Sequence, residues 1–360
     1  MTETIRSILS FIVVLGVLVF FHELGHYLVA RWRGVVVEAF SVGFGPALVS
    51  WKAKSGTVWK ISALPLGGYV KMQGWGDDQT DEPAKPGSFA ATSLGSKAMI
   101  VAAGPIANLL LAFVLFFGLF VIAGQVIVQP VLSKVSAGGP AATAGLLPGD
   151  KILTINGAVI HDFEDMQRII VTSPDTKMTL TYQRGGQEAQ QTLTTGHRTA
   201  DGQTIGMMGV EGDQVSTHRL GPIAAGAAAG QETWQLITGT LNGLWNLVAH
   251  QKGAQDLGGP LRIAELSGKV AALGAASLIS FMAMLSVNLG LINLVPIPIL
   301  DGGHLLFYAG EAIYGRPIPR RAQDISLRFG FALLLSLFVF TTFNDLTQLG
   351  AVRWVAHLFG

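Results

Sequence analysis

Two histidines four residues apart, with a glutamate between them, stand in His22-Glu23-Leu24-Gly25-His26, inside an apolar run from Ile8 to Ala30. On a helix, positions i and i+4 share a face about 6 Å apart, so both imidazoles can bind one metal ion. Glu23 lies about 100° round the helix from His22, placed to take a proton from a water activated there. Ionisable side chains are costly inside a bilayer and mark a functional site by default, and here three fall within five residues. Two imidazoles need a third ligand, and the candidate is Asp301 in the run Asn293-Leu294-Val295-Pro296-Ile297-Pro298-Ile299-Leu300-Asp301-Gly302-Gly303-His304. One carboxylate and two imidazoles leave a fourth position open for water, a tetrahedral set that suits zinc. Asp301 has a blander reading, as the N-cap of a helix that starts after the Pro-x-Pro break. His304 follows a flexible glycine pair and is expected behind the ligands at most.

Composition narrows what surrounds this chemistry. Of 360 residues, 13% are charged and 50% hydrophobic, and the mean hydropathy is +0.47. That balance predicts a polytopic α-helical membrane protein with room for one soluble domain, and its apolar segments, taken in order with the charge pattern, make four transmembrane helices. The chain has no cysteine, which excludes thiolate ligands, a catalytic thiol and disulfides. A formal net charge of +1 argues against a nucleic-acid partner. The first apolar stretch resembles a signal peptide but lacks a small-residue cleavage site and carries the motif itself, so it reads as retained.

The elements that must position the motif follow in chain order. Residues 1–124 read as an N-terminal membrane half with spans over Ile5–Trp32 and Ala98–Gly124. Between them, residues 35–72 alternate in the manner of short strands and predict a small sheet beside the site. Gly67-Gly68-Tyr69 would let backbone approach backbone at an edge of it, either to align a substrate or as a plain connecting hairpin. Gly74–Gly95 is polar and contains prolines, and reads as a mobile loop. Asn108, in Gly104-Pro105-Ile106-Ala107-Asn108, is either interhelical glue or a group facing the catalytic helix.

Residues 125–212 predict a small α+β domain, with turns at Pro148-Gly149-Asp150 and Asn156-Gly157 and a helix over Asp162–Val171. Its run Ala144-Gly145-Leu146-Leu147-Pro148-Gly149-Asp150-Lys151-Ile152 resembles the core of a PDZ domain, which implies a groove for an extended peptide. The other reading is a small β domain without a ligand. Residues 213–270 read as an interfacial amphipathic helix and linker, with Trp234 and Trp245 at the interface. Residues 271–360 form the C-terminal membrane half, a segment broken at Pro296 and Pro298 followed by a span from Leu327 to about Leu349. Such a break is tolerated at depth only where protein or a wet cavity satisfies the backbone. Arg31, Arg33 and a series of lysines follow the first span and only Arg6 precedes it. Both termini and the α+β domain are then expected outside, and the site toward the cytoplasm.

Together the motifs make the chain resemble the site-2 protease family of intramembrane zinc metalloproteases, in the bacterial branch that includes the sigma-E-regulating protease. The resemblance rests on His22–His26, Gly67-Gly68-Tyr69-Val70, Gly104–Asn108, the PDZ-like core, Gly258-Gly259-Pro260 and Asn293–His304. It implies one zinc ion held by His22, His26 and Asp301, with Glu23 as general base. It also implies substrate contacts at Asn293 and at the Gly67-Gly68-Tyr69 edge, and Asn108, read as facing the catalytic helix, is a further candidate for such a contact. Substrates would be single-span membrane proteins already cut once, such as anti-sigma factors or signal-peptide remnants, in a bacterial inner membrane. Some members carry two tandem PDZ domains, and this chain has room for one. The rival readings are a non-catalytic scaffold with a structural metal and a transporter. A structural zinc is normally closed by four protein ligands, and the sequence lacks the repeated halves a transporter predicts.

Overall fold

Thirty residues, Glu3–Trp32, form one uninterrupted helix, α1, so the motif sits on a continuous rod about 45 Å long. The computed structural model describes residues 2–75, 85–200, 203–250 and 258–348. Its packing divides the chain into two units, one of residues 1–119 with 225–360 and one of residues 120–224.

In the first unit α1 is followed by strands β1 (Val37–Lys52) and β2 (Val58–Met72) and by helix α2 (Leu94–Ile122). Both strands fold back on themselves. Ala39–Val42 has Val58–Ile61 along one flank and Gly68–Lys71 along the other, while Ala47–Lys52 returns onto Val58–Ser62. Gly43 makes the fold-back possible: its φ is +92°, and a Cβ there would lie 2.8 Å from the Leu64 carbonyl oxygen. The segment 68–71 therefore forms an edge of the sheet, as the glycine pair predicts.

The stretch read as a mobile loop is partly packed. Phe89 is buried against Trp75, its N–H donates to the Gln73 carbonyl at 2.7 Å, and the Val36 N–H donates to Gly87 at 2.9 Å. Residues 76–84 of that stretch lie outside the described residues.

The second unit holds β3 (Gln125–Val128), β4 (Lys134–Val135), α3 (Pro140–Thr143), β5 (Lys151–Ile155), β6 (Ala158–Val159) and α4 (Phe163–Val171). It continues with β7 (Lys177–Arg184), β8 (Gln187–Thr194), β9 (Gly196–Ala200), β10 (Gln203–Met207), β11 (Val210–Glu211) and β12 (Val215–His218). A four-stranded sheet of order β6-β5-β7-β8 and helix α4 enclose Leu132, Leu146, Ile152, Ile155, Met166, Met178 and Leu180. Asn156 and Gly157 both have positive φ, 50° and 83°, which is the turn that Asn-Gly predicts. Asp162 caps α4, accepting from the Asp165 N–H at 2.7 Å. The unit runs past residue 212, because β12 pairs with β3 and draws residues 215–218 out of the expected linker.

Back in the first unit come α5 (Pro222–His250), α6 (Pro260–Ala272), α7 (Ala275–Leu294), α8 (Asp301–Tyr314) and α9 (Arg320–Gln348). Among the described residues, α1, α2, α7 and α9 are the helices long and apolar enough to cross a membrane. The first three pack through Val14, Leu18, Leu111 and Met282. α6 lies on the start of α1, where Gly268 meets Ser7 and the Arg6 Nε donates to the Gly268 carbonyl at 2.9 Å. α5, read from the sequence as an interfacial helix, packs against other helices of its unit. Gly226 and Gly230 face Phe117 and Phe113 of α2, and Thr240 donates to Asn288 of α7 at 2.7 Å. Small residues and side-chain hydroxyls bring it against two apolar helices despite its mixed polarity.

Candidate active site

α7 stops at Leu294 and α8 starts at Asp301, with the turn Val295–Leu300 between them. Two prolines prevent the helix from continuing. Ile299 takes a φ of +97°, a strained conformation for a β-branched residue. The turn is gripped on both sides. A Cβ on Gly302 would lie 2.3 Å from the Leu294 oxygen, and one on Gly330 of α9 would lie 1.8 Å from the Pro298 oxygen. Asp301 is not the capping residue: Leu300 holds that position, and Asp301 opens the helix with its carboxylate turned toward α1.

There it meets the two histidines. The Nε2 atoms of His22 and His26 are 3.2 Å apart, and Asp301 Oδ2 is 3.3 Å from the first and 3.6 Å from the second. Donors about 2.0–2.1 Å from a tetrahedral zinc are separated by about 3.3 Å, so these three side chains fit one face of a zinc tetrahedron. They form the group of possible metal ligands found among the described residues. Two imidazoles and one carboxylate are a donor set that suits zinc.

α2 shapes the back of the site. The His26 Nδ1 donates to the Ile100 carbonyl at 2.8 Å, leaving Nε2 to face His22 and Asp301. Gly104 lies between the imidazoles, and a Cβ there would sit 2.2 Å from His26 Nε2 and 2.9 Å from His22 Cε1. Asn108 is fully buried, with its amide nitrogen 3.2 Å from His22 Nδ1, on the far side of that ring from Nε2. His304 turns to Trp75, ring centroids 5.7 Å apart, and is outside the triad.

The sheet brings its edge to Glu23. A Cβ on Gly68 would meet the Ser41 oxygen at 2.6 Å, Val19 at 2.8 Å and Glu23 Cγ at 3.0 Å. Glu23 itself is buried, and Gly68 is the residue that lets a strand pass over it. Gly67, with φ +116°, lies under the Phe44 ring, which stacks on Tyr69 at 6.2 Å. Asn293 is half-buried on the last turn of α7, ahead of the strained turn. The sequence marks Gly104 only as a small residue in the Gly104–Asn108 motif that permits close helix contact, and not as a residue packed against the two imidazoles.

Two histidines and a buried glutamate on one helix, with an aspartate brought in from another, are the arrangement of a zinc metallopeptidase. The model of peptidase family M50 matches residues 10–337, and the chain belongs to that family. It is 42% identical over 362 residues to a protein of Agrobacterium fabrum named as a zinc metalloprotease, covering 95% of this chain and 96% of that one. It is 34% identical over 423 residues to the zinc metalloprotease RasP of Geobacillus kaustophilus, covering 97% and 99%. Among solved structures, the PDZ domain of an SdrC-like protein from Listeria monocytogenes matches 23% of this chain and 84% of its own, at 19% identity and a TM-score of 0.21. The chain is a metalloprotease.

Proposed function

We propose that this metalloprotease hydrolyses peptide bonds in or beside the membrane-spanning segment of single-span proteins that another protease has already cut. The carrying observation is the convergence of His22 and His26, on a helix apolar enough to cross a membrane, with Asp301 at the start of α8. His22 and His26, on α1, and Asp301, on α8, would hold one zinc ion. When bound, zinc supplies Lewis-acid polarisation of a carbonyl and lowers the pKa of water. Glu23 serves as general base, taking a proton from the attacking water and passing it to the leaving amine.

A helical substrate has its carbonyls already hydrogen-bonded, so it must unwind before attack. The edge at Gly67-Gly68-Tyr69, directly over Glu23, offers replacement backbone hydrogen bonds by strand addition and holds the extended chain in line. Asn293 would contact the substrate from the opposite segment. The site lies about 17 residues along α1 from Ile5, or roughly 25 Å, toward the cytoplasmic side of a bacterial inner membrane, with both termini and the residue 125–212 domain outside. That domain carries a cavity of about 240 Å³ lined by Phe163, Met166, Ile170, Met207 and Val210. It fits a short extended peptide, such as a newly exposed terminus of an anti-sigma factor or a signal-peptide remnant.

The test is a single-span substrate, trimmed to a short external stub, reconstituted with the protease in vesicles. The expected product is cut in or next to the apolar segment. Cleavage confined to soluble unfolded chains, with the spanning substrate untouched, would overturn this reading.

A further inference from the structure

Asn108 is wholly buried, and its two amide atoms are in opposite trouble. Its Nδ2 lies 3.2 Å from His22 Nδ1, while its Oδ1 is one of three buried side-chain polar atoms without a partner among the described residues. The tautomer of His22 explains both. Its Nε2 is the atom that converges with His26 Nε2 at 3.2 Å and Asp301 Oδ2 at 3.3 Å. A neutral imidazole carries one proton, so a ring that offers Nε2 to a cation must carry that proton on Nδ1 and donate from there. An amide NH2 facing Nδ1–H sets donor against donor. A half-turn of the amide exchanges its nitrogen and oxygen, positions that only the hydrogen-bond network distinguishes.

We propose that Asn108 is a positioning residue of the metal site: its Oδ1 accepts from His22 Nδ1–H and fixes the tautomer whose Nε2 is free to bind zinc. This rests on the metal-site reading above. The same helix serves the other ligand in the same way, through the Ile100 carbonyl that accepts from His26 Nδ1 at 2.8 Å. One imidazole is thus oriented by a backbone carbonyl of α2 and its partner by a side-chain carbonyl two turns later. Asn108 cannot swing away. Ser286 Oγ donates to its backbone carbonyl at 2.7 Å, and Gly290 brings α7 close enough that a Cβ there would lie 3.4 Å from Asn108 Cβ. Outer partners that orient a ligating histidine commonly account for about 10–100-fold in metal affinity.

The experiment measures zinc affinity of the full-length protein in detergent by chelator competition, independently of cleavage. Asn108→Leu keeps the volume and removes the acceptor, and is expected to weaken zinc binding by about 10–100-fold. Asn108→Asp offers only acceptors and is expected to bind zinc at least as tightly as the native chain. If instead the amide nitrogen donates to His22, Asn108→Asp must weaken binding as much as Asn108→Leu, and that result overturns the proposal. So does native affinity in Asn108→Leu. Should the leucine variant fail to fold, the aspartate variant decides alone, since a tenfold loss there contradicts an acceptor role. His22→Ala separates the two levels: native zinc affinity in that variant would overturn the metal site itself, whatever Asn108 does.

Discussion

Adding one methyl group at Gly104 should abolish zinc binding while the chain still folds. A Cβ there would lie 2.2 Å from His26 Nε2, 2.5 Å from His26 Cε1 and 2.9 Å from His22 Cε1. Ordinary contact needs about 3.5 Å, so helix or ring must move by about 1.3 Å. His26 cannot yield by rotation, because it is buried and its Nδ1 donates to Ile100 at 2.8 Å. Metal–ligand distances tolerate only about 0.2 Å, several times less than this displacement. Zinc affinity of Gly104→Ala should therefore fall by at least about 100-fold, with activity falling alongside. Helix propensity points the other way: glycine to alanine inside a helix is worth about 1 kcal/mol in favour of the variant. Overpacking of a buried site costs about 1–3 kcal/mol, so thermal unfolding in excess chelator should show a net loss of no more than about 2 kcal/mol. Gly16→Ala and Gly118→Ala, where a Cβ meets nothing within 4 Å, are the controls and should keep both zinc and activity. Native zinc content and turnover in Gly104→Ala would refute the placement of α2 against the ligands.

Gly68→Ala should separate catalysis from metal binding. Its Cβ would meet the Ser41 backbone oxygen at 2.6 Å, which cannot give way, so the edge strand must shift off Glu23 and turnover should fall by about 100-fold. Zinc content should stay native, and equal losses of zinc and turnover would support a merely connecting hairpin. In the second unit, Asp150 is fully buried and accepts from Arg184 Nε at 2.6 Å, from Arg184 Nη2 at 2.7 Å and from the Leu147 N–H at 2.8 Å. The hydrogen-bonded Asp150 carboxylate holds the Arg184 guanidinium above its usual range. Asp150→Asn turns an amide NH2 toward those donors, and the Tm of that unit should drop by roughly 5–10 °C with zinc content unchanged.

What the sequence made legible was whatever depends on period and on residue type at close spacing. The four apolar helices announce themselves by length and hydropathy, and Asn156-Gly157 and Asp162 by turn and cap chemistry. The His22–His26 pairing needs only the helical repeat. Asp301 was harder, since an aspartate after Pro-x-Pro serves equally as cap or ligand. Only the backbone decides, by making Leu300 the cap. Long-range packing left little trace. Phe89 looks like one apolar residue in a polar loop, yet it fills a gap beside Trp75. β12 is four residues with no buried position and too short to show a period. α5 looks interfacial by composition because its partners on α2 and α7 lie far away in sequence. The positive φ of Ile299 has no signal at all in residue type, since glycine or asparagine would be expected there.

The most direct test of the central claim is Glu23→Gln in the full-length protein, with bound zinc and cleavage of a single-span substrate in vesicles measured on the same preparation. Zinc content equal to the native chain with cleavage reduced by about 100- to 10,000-fold is the predicted result, because the ligands remain and only the base is lost. Undiminished cleavage by this variant would contradict the account.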